Sequence, residues 1–152
     1  MRRALGVAGG RPLPSCENPG MARFYDIDAA NARLLELRPV LEQLKADRDA
    51  LADAQREIRE VLASDGAPGS EERLRSHEVR VRSLVRNMER AVAQIDAWGV
   101  TLRDIQSGLV DFPALVSGRQ VWLCWRLGEG EIEWWHELST GIAGRRALAD
   151  LA

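Results

Sequence analysis

The feature that most constrains this chain is a change of period at Gly99. Before it, apolar residues recur every three or four positions; after it, they alternate. The first half carries Ile27, Ala30, Leu34, Leu37, Leu41, Leu44, Leu51, Ile58 and Leu62, with Arg48 and Gln55 at the missing steps. That spacing draws one stripe along a long helix. Asp26 is its natural N-cap, because a carboxylate there accepts from the free amides of the first turn. Pro39 has no amide hydrogen and crowds the carbonyl of Leu35, so a kink is expected there, or a short helix joined to a longer one.

The run from Ser64 to Ser70, SDGAPGS, reads as a turn. A second helix follows, with Glu71 and Glu72 at its positive end and Leu74, His77, Val81, Leu84, Met88, Ala91, Ile95 and Trp98 as its stripe. Gly99 supplies the stop. A short loop between two long helices makes them antiparallel neighbours. Pairing Leu62 with Leu74 sets Leu51 against Leu84 and Leu41 against Ile95. Residues 26–36 then overhang the end of the second helix, available to hold what comes next. Val85 and Val92 widen the apolar face beyond one seam. That surface wants a partner, either the C-terminal part or a second chain completing a four-helix bundle.

Past Gly99, strands are expected near residues 100–103, 109–112, 120–127 and 131–138, forming an antiparallel meander. Trp122, Trp125, Trp134 and Trp135, four of the five tryptophans, fall in the last two. A two-residue turn at Glu129-Gly130 places Val121, Leu123, Trp125, Ile132, Trp134, His136 and Leu138 on one face. The other face then holds Trp122, Cys124, Arg126, Glu133, Trp135 and Glu137, with Arg126 opposite Glu133. A three-residue loop at Gly128-Glu129-Gly130 is the alternative, and shifts every pair by one. A short last helix is expected over residues 146–151.

The expected fold class is therefore α+β: a long antiparallel two-helix hairpin, coiled-coil-like, over residues 21–99, and a small Trp-rich antiparallel β-meander over 100–152. The two pack as one cooperative domain. Residues 1–20 have no periodicity and read as a disordered tail, with Met21 the expected true start. The 21 basic and 23 acidic residues leave a net charge of −2, without the basic surplus of a nucleic-acid binder. The arginines of the second helix alternate with acids, which reads as a solvated face. No apolar run approaches the roughly 20 residues of a membrane span. Two cysteines form no disulfide framework, which suits a reducing, cytoplasmic setting.

The segment GLVDFPALVSGRQVWLCWRLGEGEIEWWHELSTGIAGR resembles the C-terminal signature of the bacterial domain of unknown function 2203 family. Ile27-Asp28-Ala29-Ala30-Asn31-Ala32 through Leu37-Arg38-Pro39 resembles the family's opening, so the likeness covers about residues 23–146. It implies no activity, cofactor or catalytic residue. A label linking some members to cell division finds no support in these residues.

Asp111, Cys124, His136 and Glu137 are the candidate metal ligands. All are chemically competent, but no two have the short Cys/His spacing of a structural zinc site. The preferred register also sends Cys124 and His136 to opposite faces. The same separation argues against a Cys124, His136 and Asp111 nucleophilic set, and Cys124 reads more simply as a small buried hydrophobe. Trp122, Arg126, Trp135, His136, Glu137 and Arg145 form the candidate ligand-binding set. Here the plainer reading of His136 is a packed histidine satisfied by a backbone carbonyl. His77 reads as a partly exposed seam histidine near Ile58, and Arg145 as a partner for Asp111 or Glu137. With no convincing catalytic set, the first expectation is an interaction or scaffold protein rather than an enzyme, acting through the helical hairpin on a protein partner or a second copy. The alternative is a small-ligand or metal site on the C-terminal module. The sequence names no cofactor.

Overall fold

The computed structural model describes residues 24–64 and 66–151; the expectations for residues 1–20 and for Met21 lie outside them. Helix α1 spans Ile27–Ala63 and helix α2 spans Ser70–Ala97, packed against each other as a hairpin. Asp26 caps α1, its carboxylate accepting from the Ala29 amide at 2.7 Å. Pro39 sits inside α1 without ending it, so the expected joint between two helices is not made. Pro39 is itself exposed, and its missing amide costs the helix one donor without ending it.

The α1 seam follows expectation through Ala30, Leu34, Leu37, Leu41 and Leu44 and then steps back by one, burying Asp47, Ala54 and Val61. Leu62, expected in the seam, is 62% exposed. Small Ala54 permits close approach of α2, and Leu62 is left at the margin. Across the hairpin, His77 Nδ1 lies 3.1 Å from the Glu57 carboxylate, which also faces Arg80. Gly99, with φ of 72°, ends α2: its amide donates to Asp96 and the Val100 amide reaches back to Ile95.

The sheet has five antiparallel strands in the order β1 (Thr101–Asp104), β2 (Leu109–Val116), β3 (Arg119–Arg126), β4 (Trp134–His136) and β5 (Arg146–Ala147). The last helix expected over 146–151 is instead the short strand β5 and a single 3-10 turn, Leu148–Asp150. The tight hairpin is not the expected one. It joins β2 to β3 through Ser117 and Gly118, both left-handed with φ of 50° and 76°, the two-residue geometry that matches strand twist.

Between β3 and β4 the chain leaves the ladder for residues 127–133 and returns with Trp122 opposite His136, Leu123 opposite Trp135 and Cys124 opposite Trp134. This is the pairing parity of the three-residue loop, and it overturns the preferred register. The faces are decided by anchors outside the hairpin. Asn31 Oδ1 accepts from the Ile132 amide at 2.7 Å, and the Gly130 carbonyl accepts from Trp125 Nε1 and from Arg38. Glu131 and Glu133, which that parity would push inward on continuous strands, lie in the detached segment and stay exposed.

One face of the sheet carries Val110, Phe112, Ala114, Val121, Leu123, Trp125 and Trp135 into a core shared with Tyr25, Leu34, Leu37, Leu41, Leu44 and Ile95. The start of α1 holds this face as its overhang suggested. The Tyr25 amide donates to the Pro113 carbonyl at 2.7 Å, its hydroxyl donates to the Trp98 carbonyl, and the Arg38 guanidinium lies over Trp125. Pro113 is tolerated in β2 because its ring nitrogen faces the side where β1 has already ended. The opposite face of the sheet carries the polar cluster described next.

Candidate metal centre

Asp111 of β2, Cys124 of β3 and His136 of β4 lie on adjacent strands. Asp111 and Cys124 are direct ladder partners, and His136 pairs two residues before Cys124 on β3. Period-two alternation therefore puts all three side chains on the face away from α1. Their oxygen, sulfur and ring-nitrogen atoms all lie within 4.8 Å of one another, and none of the three residues is more than 2% exposed.

His136 is held at both ends. Nδ1 lies 2.8 Å from the Glu137 carbonyl, which can only accept, so Nδ1 carries the hydrogen. That leaves Nε2 aimed at Asp111, 3.0 Å from each carboxylate oxygen. Arg103 of β1 completes the surroundings of Asp111, Nε donating to Oδ2 at 2.8 Å while its guanidinium lies over Trp122. Burial in the first place, and the Asp111 charge in the second, push the Cys124 thiol up to about 11. As it stands, the sulfur is a neutral thiol.

A second polar group closes the neighbouring rim. The Arg145 guanidinium grips Glu129 with two bonds of 2.6 and 2.7 Å, lies over Trp134, and reaches the Cys124 carbonyl at 3.4 Å. The Arg126 amide also donates to Glu129 at 2.9 Å. Burial alone would raise the Glu129 carboxyl; the Arg145 fork and the Arg126 amide outweigh it and hold the carboxyl below its usual range.

Three of the four metal candidates thus converge, and the exclusion of Cys124 from His136 fails with the register that implied it. Glu137 stands apart: only its carbonyl touches His136, and its carboxylate faces Arg119. Of the ligand-binding set, Trp122, His136 and Arg145 line this face. Trp135 is buried on the opposite face in the core, and Arg126 is exposed beside Glu129. Arg145 pairs with Glu129, not with Asp111 or Glu137. Arg103 and Glu129 were missed by sequence reasoning. Arg103 lies on the first strand, two residues from the position that pairs with Asp111, a relation visible only once the β1 register is known. The profile of the uncharacterized conserved proteins DUF2203 matches residues 23–148. The chain belongs to the DUF2203 family. Nothing matches it among curated proteins, nor among solved structures. For this DUF2203 chain the chemistry must be argued from the site alone. Among the described residues, no helix is long and apolar enough to cross a membrane.

Proposed function

We propose that this protein binds one divalent transition metal through Asp111, Cys124 and His136. The observation that carries the reading is the convergence of a carboxylate, a sulfur and an imidazole nitrogen in one buried spot, with the other imidazole nitrogen already tied to a backbone carbonyl. That second bond is the usual device for fixing the tautomer and aim of a metal-ligating histidine. The gap between Nε2 and the Asp111 carboxylate, 3.0 Å to each oxygen, is where a cation would be held. Zinc-like ions sit about 2.0–2.3 Å from such ligands, and an ion would lodge between three donors that already lie within 4.8 Å of one another. A nitrogen, sulfur and oxygen set favours zinc, cobalt or ferrous iron over magnesium or calcium.

Three protein ligands leave a coordination position free, the pattern of sites where a metal activates a bound molecule rather than staples a fold. In the protein's own residues, Arg103 would hold the Asp111 carboxylate from behind, and Trp122 and Trp134 would wall the site. Nucleophilic catalysis by Cys124 is the weaker reading. The thiol is fully buried and neutral, and His136 spends Nε2 on Asp111.

The test is a titration of purified, chelator-treated protein with Co(II), read by visible and near-ultraviolet absorption, and elemental analysis after zinc loading and desalting. About one metal per chain with a thiolate-to-cobalt band is expected. Cys124→Ser should abolish the band, His136→Ala should lose the metal, and Glu137→Gln and His77→Ala should keep both. A folded wild-type chain that takes up neither ion would overturn the reading, leaving the trio as a buried polar network.

A further inference from the structure

One face of α2 is exposed along most of its length. Arg75, Glu78, Arg82, Val85, Glu89 and Asp96 are exposed there, with half-buried Val92 among them. They recur at alternating spacings of three and four, so they form one stripe beside the seam that meets α1. Leu51, Val85, Met88 and Val92 line a shallow apolar cleft along it. None of Arg75, Arg82, Glu89 or Asp96 takes part in an ion pair among the described residues.

The order of charges along this stripe is not random. Its N-terminal half carries Arg75 and Arg82 with Glu78 between them, and its C-terminal half carries Glu89 and Asp96, with Val85 at the middle. We propose that a second copy of this chain docks on this stripe, α2 against α2 in antiparallel alignment about a two-fold axis near Val85. That alignment puts Arg82 opposite Glu89 and Arg75 opposite Asp96, each pair made twice, with Val85 meeting its twin at the centre and Glu78 falling beside Val92 without a charge against it. A parallel alignment would instead set every charge against its own sign. A two-fold interface must be complementary to itself, and this charge order satisfies that condition.

The axis position is also geometrically suited. Val85 lies near the middle of Ser70–Ala97, so the two helices overlap along almost their whole length. The interface is independent of the metal reading, since no metal candidate lies on α2.

The experiment is the solution mass, by sedimentation, of wild type, Arg82→Glu, Glu89→Arg and an equimolar mixture of the two variants, with circular dichroism confirming that each is folded. Wild type should sediment as a dimer. Each single reversal sets like charges against each other twice and should weaken self-association by about tenfold or more. The mixture should form a heterodimer, because the two introduced charges are opposite in sign and then face each other. At the symmetric position, the native Glu89 of the Arg82→Glu chain meets the native Arg82 of the Glu89→Arg chain. A monomeric wild type, single reversals that still dimerise as wild type does, or a mixture that stays monomeric would each overturn the proposal.

Discussion

Cys124 stands directly opposite Asp111 in the β2–β3 ladder, and neither side chain is open to solvent. The carboxylate sits beside the sulfur, so burial and negative charge both oppose the thiolate and lift the thiol to about 11. In a Cys16→Ser chain, the remaining thiol should react with a small alkylating reagent at neutral pH far more slowly than in denaturant. A thiol so raised keeps only about a hundredth of the ordinary thiolate population at neutral pH, and access is lost besides. Modification as fast in native protein as in denaturant would show that the sheet face is open.

The same rise sets a pH dependence of stability with a definite sign. The folded thiol ionises at a higher pH than the unfolded one. Its contribution is therefore fully present below about pH 9 and is lost as pH rises toward about 11. Denaturant midpoints at about pH 8 and about pH 10.5 should fall further for metal-free wild type than for Cys124→Ser. Equal losses in the two proteins would remove Cys124 as the cause.

Glu129 and Arg145 tie the segment 127–133 to the loop that follows β4. Glu129→Ala removes both guanidinium bonds and the acceptor of the Arg126 amide, leaving a part-buried cation without its partner. The expected loss is about 1–3 kcal/mol by denaturant unfolding, with faster amide exchange in residues 127–133. Because the folded Glu129 carboxyl is depressed, this contribution is present above the ordinary glutamate range and disappears as pH falls through the lower folded value. A loss that persists unchanged in acid would assign the effect to packing instead.

The helices were legible because their signals are local: the stripe through Leu44, the Asp26 cap and the Gly99 stop are each set by a few neighbouring residues. The strand order was legible for the same reason. What failed was the register between β3 and β4, and with it the site. Cys124 and His136 share a face because the pairing has the parity of the three-residue loop, and Asn31 and Arg38, about a hundred residues earlier in the chain, hold the intervening segment on α1. The turn signal at Gly128-Glu129-Gly130 allows both registers and contains no trace of that restraint. The right ligand types were therefore on hand, and the wrong parity separated them.

Leu37 and Leu62 carry equal weight in the sequence stripe but not in the fold. Leu37 is fully buried between α1 and the sheet, and Leu62 lies at the margin of the hairpin. Leu37→Ala should cost about 2–5 kcal/mol and Leu62→Ala within about 0.5 kcal/mol by chemical denaturation. Comparable losses would place the seam back at Leu62.

Gly108 and Gly118 separate backbone strain from collision. Both are left-handed, with φ of 65° and 76°, so alanine at either position carries the cost of that conformation, about 1–2 kcal/mol. A methyl group on Gly118 meets nothing within 4 Å. On Gly108 it would stand 2.5 Å from both Cγ and Cδ1 of Leu127, whose amide donates to the Gly108 carbonyl at 3.2 Å. Gly108→Ala must therefore move Leu127 or break that bond, and Leu127 begins the segment that sets the β3–β4 register. Gly108→Ala should lose more stability than Gly118→Ala, by about 1–3 kcal/mol. It should also weaken Co(II) uptake, whereas Gly118→Ala leaves it intact. Equal stability in the two variants would mean that Leu127 yields freely, and that the turn after β1 exerts no hold on the spacing of Asp111, Cys124 and His136.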